Sequence, residues 1–430
     1  MPATSLPLES RTLAGSPYVG VAATTPRTIA GDAGWMLASQ LAYAACQWAT
    51  VVALAKLGAP VALGYFGLAL AVTNPVVLVT GFSLKVYQST DVLRRWAFAE
   101  YLNLRLAANV VSAAVIAGIA VAGVLGTAET AVLLPIAAAK IAEQTTETCY
   151  GLAQRHARMR LVAVSKVVRG ALGLLAMVIV VARGGTVAAG AWALAATWTA
   201  VLLLVDLPAA RRFEPVLARP RLAALRRLAA ESAPLGAVAG IMAITQSVPR
   251  YLLESNAGPA AVGYYTALAA VMPVLWQLAA AVGNAAAPRL GWAIVADRDG
   301  YRRLVTYLLG GAAVVTALIT GGALLIGRPF LAFAYTEAYA AHVATFVLVV
   351  LAAGLGLVTT LAYFALVAAR RLRLLLAIHC LGLALTALVG WALIPRLGLD
   401  GAALGAAVGA GAMAVVSAAA LLGRPRGGAS

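Results

Sequence analysis

The sequence predicts an all-α integral membrane protein of about twelve transmembrane helices arranged as two six-helix lobes. Three observations predict it. Of 430 residues, 63% are hydrophobic and only 11% charged, whereas soluble domains carry about 25% charged residues. So large an apolar excess cannot be hidden in one water-soluble core. The apolar runs are also long enough to span, since about 30 Å of hydrocarbon needs about 20 helical residues. The basic residues, finally, alternate from loop to loop along the chain. Barrel strands would alternate apolar and polar residues, but 110–126 is apolar on every face.

The spans read as 33–55, 60–82, 104–126, 131–151, 162–182, 186–208, 233–255, 260–285, 304–326, 342–368, 373–394 and 399–422. The fourth and seventh are the least regular because charges interrupt them. Positive residues collect in cytoplasmic loops beside spans. With both termini cytoplasmic, the inner segments hold 26 of the 32 Lys and Arg residues. They include Lys85, Arg94, Arg95 and Arg105, then Arg155, Arg158, Arg160, Lys166 and Arg169. Six more (Arg211, Arg212, Arg219, Arg221, Arg226 and Arg227) fall in one central segment. Lys56, Arg183, Arg250, Arg328 and Arg396 lie on or near the outer side, and Lys140 is mid-membrane. Cations spread along loops in this way find their partner in membrane lipid. No single basic face is formed for a nucleic acid.

Residues 1–30 are rich in Pro, Ser and Thr and lack the apolar core of a signal peptide; a short disordered cytoplasmic tail is expected there, and a cytoplasmic tail at 423–430. Cys46, Cys149 and Cys380 are single, as are His156, His342 and His379. No disulfide framework or metal spacing follows from them.

The longest inner segment, 209–231, carries Pro215, Pro220 and the six central arginines. It reads as a cytoplasmic linker between an N-terminal lobe, 31–208, and a C-terminal lobe, 232–422. The chain also repeats itself. Pro60, Ala62, Gly64, Tyr65, Ala71 and Val72 recur as Pro259, Ala261, Gly263, Tyr264, Ala270 and Val271, at a constant offset of 199. These residues open spans two and eight, which are equivalent in a 6 + 6 scheme. Transporters place substrate sites between such repeats.

Ionisable residues inside spans are costly and default to a functional reading. Span four holds Lys140, Glu143, Gln144 and Glu147, which share one helix face. Span seven holds Gln246, Ser247, Arg250 and Glu254, with Pro249 freeing a backbone carbonyl. Span one adds Gln40, Tyr43 and Gln47. In the structural alternatives, Lys140 neutralises Glu143 or Glu147, and Arg250 pairs with Glu254 near the outer headgroups. In the functional reading, a water-filled cavity presents positive charge to an anionic substrate, and Arg suits phosphate because its planar fork bonds two oxygens. Arg250, Lys140, Glu143, Gln144, Glu147, Gln246, Glu254, Gln40 and Gln47 are therefore the candidate lumen residues. There is no Walker loop, nucleotide fingerprint or metal-ligand spacing, so neither a cofactor nor an enzyme activity is expected.

Several segments resemble the bacterial polysaccharide (O-antigen type) flippases of the MATE-like superfamily. They are 247–254 followed by 260–265, 89–91 through 101–105, 147–156 with Met159 and 165–170, 339–342, and 394–403. The resemblance implies a multi-pass protein of the bacterial inner membrane with a MATE-like two-lobed architecture. It would move an oligosaccharide carried on undecaprenyl pyrophosphate from the inner to the outer leaflet, with a proton or sodium as coupling ion and polysaccharide assembly proteins as partners. Glu143, Glu147 and Glu254 depart from a purely cationic lumen. The alternative within the superfamily is a cation-coupled multidrug or metabolite antiporter, which would want buried acids and an aromatic pocket; only 7% of residues are aromatic.

The topology is testable by single-cysteine labelling from outside intact cells, in a background lacking the three native cysteines. Glu337→Cys should be modified and Arg219→Cys should not. Labelling at 219 would contradict twelve spans.

Overall fold

A computed structural model describes residues 26–91, 94–216 and 218–423. Most of the tail expected at 1–30, and that expected at 423–430 beyond residue 423, lie outside the described residues. The first helix already begins at Pro26. Among the described residues every regular element is helical.

The first half contains α1 (Pro26–Leu57), α2 (Pro60–Thr80), the short α3 (Leu84–Thr90), α4 (Phe98–Val121), α5 (Thr127–Arg155) and α6 (Met159–Ala182). Its last crossing is built from α7 (Val187–Val201), a π-helical turn (Leu202–Asp206) and α8 (Leu207–Arg211). The second half contains α9 (Leu222–Ala269), α10 (Val271–Ala296), α11 (Arg298–Ala334), the one-turn α12 (Glu337–Ala340), α13 (Val343–Ala368), α14 (Leu372–Leu397) and α15 (Leu399–Leu422).

Ten stretches of the described residues are long and apolar enough to cross a membrane. One of them, Leu222–Ala287, is broken at Gly258. There the backbone takes φ 74° and ψ −178°, which only glycine adopts readily, and Pro259 restarts the helix. α5 is absent from the ten because Lys140, Glu143 and Glu147 interrupt its apolar run. Counting α5 and dividing the broken stretch yields the twelve expected crossings. Span three starts earlier than expected, at Phe98 rather than 104. The reason is Arg105, which is not at the membrane edge but buried inside the helix packing.

The helix contacts of the first half recur in the second. α1 on α6, α6 on α7, α2 on α5, α5 on α7 and α4 on α5 are matched by α9 on α14, α14 on α15, α10 on α13, α13 on α15 and α11 on α13. Two six-helix lobes result. Central helices are the most enclosed: 61% of the spanning window is buried in α2 and in α13, against 22% in α11. α11 turns Val314, Leu318, Leu324 and Leu325 outward, as a lipid-facing helix does.

The lobes meet where α2 crosses α9, and the repeated sequence lies in this contact. A Cβ on Gly64 would fall 1.8 Å from the Pro259 carbonyl oxygen, and one on Gly263 would fall 1.9 Å from that of Pro60. Residue 64 meets 259 and residue 263 meets 60, the reciprocal pattern of a two-fold contact. Gly67 in turn faces its own repeat mate, Thr266. Only glycine allows the backbones to come this close, and membrane helices associate by such packing.

At the end of the molecule near α3, the connection to the second lobe is held rather than free up to Val216. Glu214 accepts hydrogen bonds from the Phe98 N–H, at 2.9 Å, and from Arg155. His156 lies 3.4 Å away and stacks on Phe213. Burial pushes the Glu214 carboxyl up, but these donors outweigh it and hold the group below its usual range. The clamp therefore stabilises the fold above the ordinary carboxylate range and is lost as pH falls through the lowered value. Arg155, expected as a headgroup anchor, is buried in this clamp.

Gly64→Ala should cost the protein about 1–3 kcal/mol, the range for forced overpacking, whereas Gly118→Ala, with nothing within 4 Å of its Cβ, should be neutral. Thermal unfolding of the purified variants measures both. Equal midpoints for the two would contradict the reciprocal crossing.

Candidate functional site

Polar side chains gather in two places, one inside the first lobe and one where the lobes meet. The first is organised by Arg169 on α6, whose side chain is 0% exposed. An arginine cannot enter a helix bundle unpaired, and α5 supplies the partners. Arg169 lies 3.1 Å from Glu143 and 3.8 Å from Glu147. Its guanidinium is walled by the rings of Tyr43, Tyr150 and Trp198, at 5.0, 5.7 and 5.2 Å.

The remaining cations complete the balance. Lys140 pairs with Glu143 at 2.9 Å, the self-neutralising arrangement, and Lys85 from α3 pairs with Glu147 at 2.5 Å. Tyr43 donates to Glu143 and receives a hydrogen bond from Gln47 at 2.7 Å. Asp206, in the π-helical turn, accepts from the Ser165 and Thr146 hydroxyls. Lys166 donates to Gln40 at 2.5 Å. Beside the network a cavity walled by Tyr43, Gln47, Lys140 and Trp198 encloses about 20 Å³, room for roughly one water. The interior of this lobe is thus a filled ionic core.

At the meeting of the lobes, Arg250 is half-buried on α9. Its Nε donates to the Thr266 hydroxyl at 3.2 Å and its Nη1 to the Gln246 carbonyl at 3.1 Å, and Thr266 is the residue that faces Gly67. Among the described residues no carboxylate lies within 4.0 Å of Arg250. The alternative pairing with Glu254 is not formed, and one Glu254 oxygen is buried without a partner. Polar contacts bridge the lobes on either side of this point. Towards α12, Trp48 donates to the Tyr335 hydroxyl at 3.1 Å and Tyr335 to the Ala267 carbonyl at 2.8 Å. Towards α3, Gln40 donates to Gln277, and Tyr87 donates to Glu231.

Of the candidate lumen residues, Lys140, Glu143, Glu147, Gln40 and Gln47 come together in or beside the first-lobe network. Arg250 and Gln246 lie on α9 at the other place, with Gln246 exposed. The Gln144 side chain makes no hydrogen bond to described residues. Lys85, Lys166 and Arg169, counted as headgroup anchors from sequence, are network members instead. A signal for two of them was present: Lys166 and Arg169 fall at i and i+3 within an apolar run, a turn or more from its end.

The profile of a family described as polysaccharide biosynthesis protein matches residues 29–292. The chain belongs to this family. A curated relative, the capsular polysaccharide biosynthesis protein CapF of Staphylococcus aureus, is 20% identical over 300 residues, covering 68% of this chain and 75% of CapF. Among solved structures, an inward-facing multidrug resistance MATE family transporter of the MOP superfamily aligns with a TM-score of 0.73 at 14% identity, over 88% of this chain and 92% of its own. The lipid II flippase MurJ in an inward closed conformation aligns with a TM-score of 0.73 at 10% identity, over 90% and 87%. At these identities the likeness is one of fold. This is a multi-pass membrane protein with a MATE-like and MurJ-like two-lobed architecture.

Arg169→Leu removes the cation shared by Glu143 and Glu147, leaving Glu143 to Lys140 and Tyr43 and Glu147 to Lys85, and should destabilise the protein by about 3–5 kcal/mol, as breaking a buried ion pair does. Lys140→Ala should cost no more than about 1–2 kcal/mol, because Glu143 keeps Arg169 and Tyr43. Melting of the two variants in the same detergent decides; a larger loss for Lys140→Ala would contradict Arg169 as the organising charge.

Proposed function

We propose that this protein is a flippase that carries an oligosaccharide linked to undecaprenyl pyrophosphate from the inner to the outer leaflet of a bacterial plasma membrane, for surface polysaccharide or lipopolysaccharide assembly. The two lobes, 31–208 and 232–422, alternate their opening about the α2–α9 crossing, joined by the linker 209–231. The α3 end is cytoplasmic, as are both termini, and the α12 end is external. Membership of the polysaccharide biosynthesis family supports this reading, and so does the crowding of Arg94, Arg95, Arg158, Arg160, Arg370 and Arg371 at the α3 end.

The observation that carries the proposal is Arg250. It is a cation at the meeting of two lobes, held among the described residues by a hydroxyl, a backbone carbonyl and the face of the Tyr265 ring at 5.9 Å, with its charge unmatched by any described carboxylate. Such a guanidinium is ready for a phosphate, which it bonds through two nitrogens at once. The antiporter alternative asks for free intramembrane acids to bind a cation. Glu143 and Glu147 are instead engaged by Lys140, Arg169 and Lys85, which leaves Glu254, with one buried oxygen unpartnered, as the acid that alternative would have to use.

In a strain lacking its polysaccharide flippase, Arg250→Lys should reduce surface polysaccharide about tenfold at equal protein level, because an ammonium lacks the bidentate fork. Arg250→Ala should abolish export. Full complementation by Arg250→Ala would remove the phosphate-binding role.

A further inference from the structure

Lys166 stands apart from the other cations of the first-lobe network. Lys85, Lys140 and Arg169 each have a carboxylate within 4.0 Å. Lys166 is 5% exposed, and among the described residues it has no such partner. Its ammonium donates to a neutral amide oxygen, that of Gln40, and rests over the Tyr43 ring at 5.5 Å. Glu147 and Glu143 attract it only from beyond ion-pair distance, so the buried ammonium makes one hydrogen bond, to a neutral acceptor, and is incompletely compensated. Gln40 in turn spends its amide nitrogen on Gln277 of α10, in the other lobe. A chain of three side chains thus runs from a buried cation to the meeting of the lobes. Gln277 lies eleven residues beyond Thr266, about 16 Å further toward the α3 end at 1.5 Å per residue.

We propose that Lys166 is a second anion site, a station for the phosphate of a lipid-linked substrate on the α3 side of Arg250, covered by the Gln40–Gln277 bridge. This rests on the transport reading above. Parting the lobes at the α3 end breaks the amide contact to Gln277 and frees Gln40 to turn aside, which opens Lys166 to whatever enters. A phosphate oxygen then takes the place of the Gln40 carbonyl oxygen, exchanging a neutral acceptor for a charged one, which bonds an ammonium about twice as strongly. The bridge competes with the anion for the same ammonium, so binding and lobe closure at this end oppose each other. Two cations, Lys166 reached through Gln277 and Arg250 bonded to Thr266 about 16 Å further along the same helical stretch, offer the phosphate successive holds across the membrane.

The test uses the full chain in phosphatidylcholine nanodiscs, farnesyl diphosphate as probe, farnesol as the uncharged control, and calorimetric titration. Lys166→Gln should weaken diphosphate binding about tenfold, and Lys166→Arg should restore it to within about threefold. Gln277→Ala touches no charge and should tighten apparent binding about threefold, since the competent open state becomes more populated. Farnesol should not distinguish the variants. Wild-type affinity in Lys166→Gln, with Arg250→Gln weakened, overturns the Lys166 station and leaves the flippase reading intact. Wild-type affinity in both overturns that reading as well. If Lys166→Gln does not fold, Gln277→Ala carries the test, and unchanged affinity there overturns the proposal.

Discussion

Two helices can share one point in space only if neither brings a side chain to it. At the contact between the lobes both α2 and α9 meet this condition with glycine, and each places a proline carbonyl where the other's Cβ would stand. The restriction is reciprocal, so the contact is symmetric and keeps the lobes facing each other as equivalent halves. It also concentrates backbone contact around one crossing. Elsewhere the lobes are joined by the stacking of Trp48 on Phe330, by Gly236 packed on the Phe82 backbone and by polar bonds such as Trp48 to Tyr335 and Gln40 to Gln277. Hydrogen bonds of that kind are worth about 1 kcal/mol each and can be exchanged as the lobes move, whereas interlocked backbones at a crossing cannot. The proposed motion of one lobe against the other would thereby be directed around the crossing, and Arg250 sits beside it through Thr266.

The lobes are symmetric in packing but not in charge. The first contains Arg169, two glutamates, three lysines and Asp206, packed among aromatic rings. Such a network is expensive in a membrane, and its members are tolerated because neighbours compensate them, Lys166 the least completely. The result is a rigid ionic core that fixes α1, α5 and α6 relative to one another, and α1 joins α2 in reaching the other lobe, through Gln40 at one end and Trp48 at the other. In the second lobe the prominent intramembrane cation is Arg250, and it is uncompensated. A stiff lobe facing one whose cation has no described carboxylate partner is consistent with the proposed passage of an anion between them.

Much of the fold was legible in the sequence because bilayer physics is strict. Span length, the basic bias of alternate loops and the repeat at an offset of 199 each reflect a constraint that acts along the chain. Gly64 and Gly263 could be matched as repeat mates before their contact was known. The site was less legible. Charge position along a span does not reveal which side of the helix is lined by another helix's charges, and so Lys166 and Arg169 were absorbed into the headgroup count. The spacing of Arg250 and Glu254 suggests a pair, but α9 turns them into different surroundings. Lys140, Glu143 and Glu147 do share a face as expected, yet their cations come from α3 and α6 as well as from α5, which no local pattern encodes.

The most direct measurement is transfer itself. The purified protein would be placed in liposomes containing a fluorescent oligosaccharide on a polyprenyl diphosphate, and an impermeant quencher would be added outside. Flipping predicts that the protected inner-leaflet fluorescence becomes quenchable with time in the presence of the protein, and that the same lipid bearing no diphosphate stays protected. Protection that persists with active, folded protein, or equal transfer of the lipid without its diphosphate, would contradict a phosphate-guided flippase.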